Sequence, residues 1–343
     1  ADDDNGSWST MLREVDALRV VEAMPTMYYH GIVRLTYGSG IAGVAFRPGR
    51  AGLSYDVLGN GGAPLVVAHE LGHNFNRDHA PCGVTGDREF PHVNGAIGVV
   101  GLNLSTLQIF APTRPDLMSY CSNGWVSDWN WTQILRYRAT ADAVAGSQMA
   151  ATTAEAPARQ RVLLVWGHAD ERAVHLEPAF ALEGMPTAPQ PGGTFHVEGR
   201  DATGAVLFSQ AFAAQEIPDL PAKPESHFAL AVPLPATIES RLASLTVVRA
   251  RDGRAATMRT SATGAQANIV STVEVARAAG GTLAVRHDRA AARMALVRDA
   301  ASGQILGFVR NGDAALQAPR GDVEVLLSDG VRTRRAQVRP ALR

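Results

Sequence analysis

The run His69-Glu70-Leu71-Gly72-His73-Asn74-Phe75-Asn76-Arg77-Asp78-His79 holds the side chains best suited to bind a metal and move a proton. Histidines four apart on a helix project from one face, so His69 and His73 can both reach one Zn²⁺ at about 2.0 to 2.1 Å. Glu70 neighbours a ligand but lies about 100° round the helix, placed to face an open metal position rather than to fill it. Zinc held this way lowers the pKa of a bound water to roughly 7. A carboxylate beside it can take the remaining proton and return it to a leaving amine.

A catalytic zinc site wants three protein ligands, and His79 is six residues beyond His73, out of register with the same helix. The chain must therefore turn sharply near Asn76, and asparagine is the non-glycine residue that best tolerates the left-handed backbone of such a turn. The helix itself is predicted to start near Pro64, after Gly61-Gly62, and to run to about Phe75.

The motif resembles that of the metzincin metallopeptidases, H-E-x-x-H-x-x-G-x-x-H, and HELGHNF is nearest the adamalysin or reprolysin-like branch. Asn76 stands where that family has glycine. The resemblance spans about residues 28–140 and implies a methionine turn beneath the metal, matched by Asp116-Leu117-Met118-Ser119-Tyr120. Met118 would then floor the three imidazoles. Tyr120 resembles the tyrosine that in some metzincins approaches the metal, although a packed tyrosine is the plainer reading. Residues 40–46 would be the edge strand that pairs with an extended substrate, Gly40 and Gly43 letting another backbone approach.

Cys82 and Cys121 are the only cysteines and by themselves suit either one disulfide or two buried thiols. If the segments after His79 and after Met118 converge on one metal, as the resemblance implies, the two sulfurs meet. A bridge between them would in turn favour an oxidising compartment. Asp87 and Glu89 could contribute to a structural Ca²⁺, but a lone acidic pair in a loop is ordinarily solvated and nothing else supports calcium. His30, His92 and the histidines of the C-terminal half read as structural. Trp125 and Trp129 suit either a pocket wall or core anchors for the last helix.

Around these residues, a helix is expected over residues 9–20 with Met11, Leu12, Val15, Leu18 and Arg19 on one stripe. Strand-like runs follow at 32–37 and 41–46. A last helix from Ser127 or Asp128 should bury Trp131, Ile134, Leu135 and the stem of Arg138. Beyond an Ala/Thr/Ser-rich linker the period becomes two, in short runs separated by Gly and Pro turns, the pattern of β-sandwiches.

The expected organisation is multidomain α+β: a metzincin-like α/β catalytic domain over residues 1–145, a linker over 146–160, and β-sandwich modules over 161–262 and 268–343. With 32 basic against 33 acidic residues the chain has no electrostatic footprint for nucleic acid. No apolar run approaches the roughly 20 residues of a transmembrane helix. The reading is a secreted, extracellular or periplasmic zinc metalloendopeptidase acting on extended protein or glycoprotein, its β modules directing it to a glycan or cell-surface ligand by fold-level analogy. The competing reading is a surface or glycan-binding adhesion protein that keeps the zinc site as a scaffold.

Overall fold

The computed structural model describes residues 7–22, 26–34, 40–56, 62–121, 124–150, 159–220, 224–261, 273–278, 282–317 and 321–342. Strands in several sheets outweigh helices. The chain divides into two compact units, the first comprising Ala1–Arg19, Thr26–Pro157 and Gln215–Glu225, the second the remainder.

In the first unit, α1 (Trp8–Glu22) precedes β1 (Tyr29–Val33), β2 (Gly43–Ala45), β3 (Ala51–Tyr55) and α2 (Gly62–Asn74). The sheet order is β1-β3-β2, with β1 parallel and β2 antiparallel to β3. Trp8 and Leu12 of α1 bury against Val44, Phe46, Ala51 and Leu53 in one apolar cluster, which Ile217 and Leu220 complete. Of the expected stripe on α1, Met11, Leu12 and Val15 face this cluster. Trp8, Leu12, Asp16 and Ala17 are buried, whereas Leu18 and Arg19 are partly exposed.

Sequence periodicity also missed β3 and started β2 too early. The second half of the expected strand at 32–37 lies outside the described residues. A hairpin of β4 (Gly101–Asn103) and β5 (Gln108–Phe110) lies in the irregular stretch before α3 (Asp128–Ala150). The Ser127 hydroxyl accepts the Asn130 N–H and so caps α3, as expected. Its buried face is not the expected one: Asn130 is buried, while Trp131 and Leu135 are 55% and 53% exposed. Polar partners, described below, rather than apolar packing orient this helix. Residues 146–150, expected as linker, continue α3; residues 151–158 lie outside the described residues, and Gln160 already belongs to a strand.

The second unit contains β6 (Gln160–Ala169), β7 (Val174–Leu176), β8 (Phe180–Gly184), β9 (Phe195–Asp201) and β10 (Val206–Phe212). After β11 (Gln215–Glu216), whose residues group with the first unit, come β12 (Ser226–Pro233), α4 (Ala236–Glu239), β13 (Leu242–Arg249) and β14 (Ala255–Arg259). One sheet is ordered β10-β9-β13-β14; another is β12-β6-β7, with β8 also on β6. Alternate residues of both, among them Leu163, Val165, Val197, Phe228, Leu245 and Val247, form one shared core, as sandwich packing requires.

The remaining strands are β15 (Val273–Arg277), β16 (Thr282–His287), β17 (Met294–Asp299), β18 (Ile305–Val309), β19 (Asp313–Gln317), β20 (Val323–Ser328), β21 (Thr333–Val338) and β22 (Ala341–Leu342). They make the sheets β19-β16-β15-β22 and β18-β17-β20-β21, over a second core that includes Leu283, Val285, Val297 and Val325. Among the described residues, no helix is long and apolar enough to cross a membrane.

Candidate metal centre

Helix α2 carries His69, Glu70 and His73, and its end is built as the sequence anticipated. Asn76 adopts a φ of 63°, the Asn76 N–H bonds His73 O at 2.8 Å, and the Arg77 N–H bonds Gly72 O at 2.9 Å. This is the paired closure of a helix whose terminal residue turns left-handed. It redirects the chain so that His79 comes back toward His73, their Nε2 atoms 3.2 Å apart.

The turn holding Met118 is fixed by Asp116, whose carboxylate accepts N–H bonds from Met118 (2.6 Å) and Ser127 (2.7 Å) and from the Asn130 amide (2.9 Å). Asn130 accepts in turn from Arg77 Nε at 2.8 Å, and Arg77 also reaches Asp87 at 3.0 Å. Asp87 is engaged by Arg77 and by the Trp129 indole. Among the described residues only one group of side chains has metal-ligand geometry, and neither Asp87 nor Glu89 is in it.

Residues 80–82 run beside 118–120 through Ala80 N–H to Met118 O and Tyr120 N–H to Cys82 O, both 2.9 Å, and Cys82 is disulfide-bonded to Cys121. The third-ligand segment and the methionine turn are thus covalently tied. Trp125 packs on Phe110, and His92 and His30 bond Asp128 and Ser54.

The group that could hold a metal ion is His69, His73, His79 and Asp219. Asp219 lies 3.0 Å from His79 Nε2, 3.3 Å from His73 Nε2 and 3.9 Å from His69 Nε2. Tetrahedral donors at zinc bond lengths sit about 3.3 Å from one another, so these separations suit a single small dication. His69 and His73 donate Nδ1–H to the carbonyls of Leu117 and Arg77, both at 2.8 Å, which leaves each Nε2 lone pair pointing inward. His69 Nε2 is buried with no hydrogen-bond partner. This buried, unpartnered nitrogen, facing two further imidazoles and a carboxylate, is the observation that fits a metal to the site.

Burial, and then the neighbouring His73, push the His69 imidazole down to about 4, so it stays neutral and able to ligate across the physiological range. Burial alone would raise the Asp219 carboxyl, but the imidazoles of His73, His79 and His69 outweigh it and hold it well below the usual carboxylate range. Glu70 is 2% exposed, and burial followed by the Asp219 charge push its carboxyl well above the ordinary value. Its Oε2 has no hydrogen-bond partner. Gly43 faces this carboxylate, and a Cβ there would meet Glu70 and Val66. The missing side chain at Gly43 therefore makes room for Glu70, not for an incoming backbone as expected from sequence.

Tyr120 donates its hydroxyl to Asp219 at 2.8 Å, and its ring stands 4.9 Å from that of His79. Burial and the Asp219 charge raise its pKa above the usual phenol value. Met118 is buried under Gly72 of α2.

Asp219, 140 residues from His79, was not anticipated. The only sequence signal is a break in strand alternation at Ile217-Pro218-Asp219-Leu220-Pro221, where an acidic residue sits between prolines. Three histidines of the second unit, His227, His168 and His175, also form an unforeseen row across β12, β6 and β7. Their rings stack at 24° and 16°, so their nitrogens run side by side instead of converging. No protein-family model matches this chain, and none of the curated proteins matches it.

Proposed function

We infer that the chain is a secreted zinc-dependent endopeptidase of the metzincin type. The reading rests on one observation above all: three inward-facing imidazole nitrogens converge beside a buried carboxylate on the same helix. Zinc would supply a Lewis acid and an acidified water. Burial raises the Glu70 carboxyl, so its carboxylate form would be a stronger base toward the attacking water and, once protonated, would deliver that proton to the leaving amine. Met118 would support the ligands from below, and the Tyr120 hydroxyl, which donates to Asp219, would be available to hydrogen-bond a substrate oxygen.

The substrate is an extended protein or glycoprotein segment aligned along β2, with the β-sandwich modules directing the enzyme to a glycan or cell surface. The disulfide is compatible with an extracellular setting. A second reading, a surface or glycan-binding protein with the zinc site as scaffold, is favoured by one feature: Asp219 completes a four-donor set, the arrangement of closed structural zinc.

The test measures bound zinc and cleavage of denatured casein, for wild type and for Asp219→Asn, each with and without Glu70→Gln. The peptidase reading expects about one zinc per chain throughout and loss of cleavage by about 10² to 10⁴ on Glu70→Gln. Zinc-loaded wild type and Asp219→Asn that both leave casein uncut, while a cell-surface glycan is bound, would establish the scaffold reading instead.

A further inference from the structure

Catalytic zinc sites with three protein ligands keep a fourth position open for water and substrate. Here a carboxylate of the chain itself lies beside the three imidazoles that would hold the metal. The Asp219 side chain is only 6% exposed and lies within 3.9 Å of all three histidine nitrogens. It is the strongest class of competitor for such a position, an anion facing a dication among neutral imidazoles.

The segment that delivers it is seated on both sides of Asp219. Ile217 and Leu220 are buried in the cluster formed by Trp8, Leu12, Val44, Phe46, Ala51 and Leu53. Glu216 O accepts the Arg47 N–H at 3.0 Å in an antiparallel bridge two residues beyond the end of β2. Beyond that bridge the chain turns, the Leu220 N–H bonding Ile217 O at 3.3 Å, so that Asp219 stands within a turn anchored at both ends. Tyr120 adds a hydrogen bond to Asp219. Residues 215–220 thus hold Asp219 beside the three imidazoles through one main-chain bridge, two buried apolar side chains and the Tyr120 hydroxyl.

We propose that residues 215–220 are a self-blocking strap that places Asp219 on the metal as a fourth, displaceable ligand and holds the cleft against other peptides. What the strap blocks rests on the peptidase reading; its seat on the metal ligands does not. A ligand for the open site binds more weakly by the fraction of time the strap is away, so a strap open about one-hundredth of the time weakens it about 100-fold.

The experiment uses the full chain loaded with Co²⁺, whose visible absorption reports the ligands around the metal, and acetohydroxamate as probe. Wild type, Asp219→Ala and the nearly isosteric Asp219→Asn are titrated, and casein cleavage by the zinc forms is followed in parallel. Expected is an altered Co²⁺ spectrum in both variants and hydroxamate binding at least about tenfold tighter than in wild type, the strap's open fraction rising toward one. Equal hydroxamate affinity in all three proteins would overturn the proposal. So would loss of the metal from both variants, because Asp219 would then be an obligatory structural ligand. Variants that open to hydroxamate yet leave casein uncut would uphold the strap and remove the peptidase reading.

Discussion

Gly72 of α2 lies directly over the thioether of Met118, with no room for even one methyl group between them. The glycine in the motif is therefore a packing requirement: the helix bearing two ligands can approach the turn beneath the metal only because position 72 has no side chain. Gly72→Ala forces overpacking against a buried sulfur, and the expected loss is about 1 to 3 kcal/mol of stability. Metal affinity should fall with it. Urea unfolding and a competitive zinc titration check both, and an unchanged zinc affinity would mean that Met118 does not position the ligands.

Asn76 carries the left-handed turn that brings His79 back toward His73. Asn76→Gly should leave stability and zinc binding near wild type. Asn76→Ala should cost roughly 1 to 2 kcal/mol, because alanine keeps the β-carbon that strains this backbone and loses the short polar side chain that lets asparagine tolerate it. Thermal unfolding of the two variants side by side distinguishes a backbone requirement from a side-chain one, which would make them equally damaging.

The Cys82–Cys121 bridge closes a loop with a sequence separation of 39. Cys82→Ser with Cys121→Ser is expected to lose about 4 kcal/mol in the chain-entropy account. Because the bridge ties the His79 segment to the Met118 turn, zinc affinity should drop as well. A double variant that loses stability but holds zinc as tightly as wild type would assign the bridge a purely stabilising role.

Acid should act on the metal-free protein through two opposed groups. His69 is held down to about 4 against an unfolded value near 6.5, so the unfolded chain takes up that proton first. Its contribution is complete above about 6.5 and is lost as pH falls toward 4, amounting to about 3 kcal/mol. Glu70 is raised, so the folded state binds its proton first and gains stability as pH falls through the raised value toward the ordinary one. Glu70→Gln removes the second effect. The chelated variant should therefore lose stability more steeply on acidification than chelated wild type, as read from urea midpoints across that range. Parallel curves would contradict the assignment.

The sequence by itself determined the local half of the site. Ligand spacing on a helix, a left-handed closure at Asn76 and a capped helix at Ser127 depend on neighbours within a few residues, and each formed as expected. Strand alternation likewise marked most of the β-sandwich strands, because burial on one face imposes a period of two. It failed where neighbours are distant. β3 is buried on nearly every residue and so shows no alternation, and α3 is oriented by the polar chain Arg77–Asn130–Asp116 instead of by Trp131 and Leu135. Gly43 looked like an opening for substrate and instead accommodates Glu70. Asp219 was decided by tertiary structure alone: its place among the histidines depends on Ile217 and Leu220 burying in a core built from the first residues of the chain, a long-range contact that no local pattern encodes.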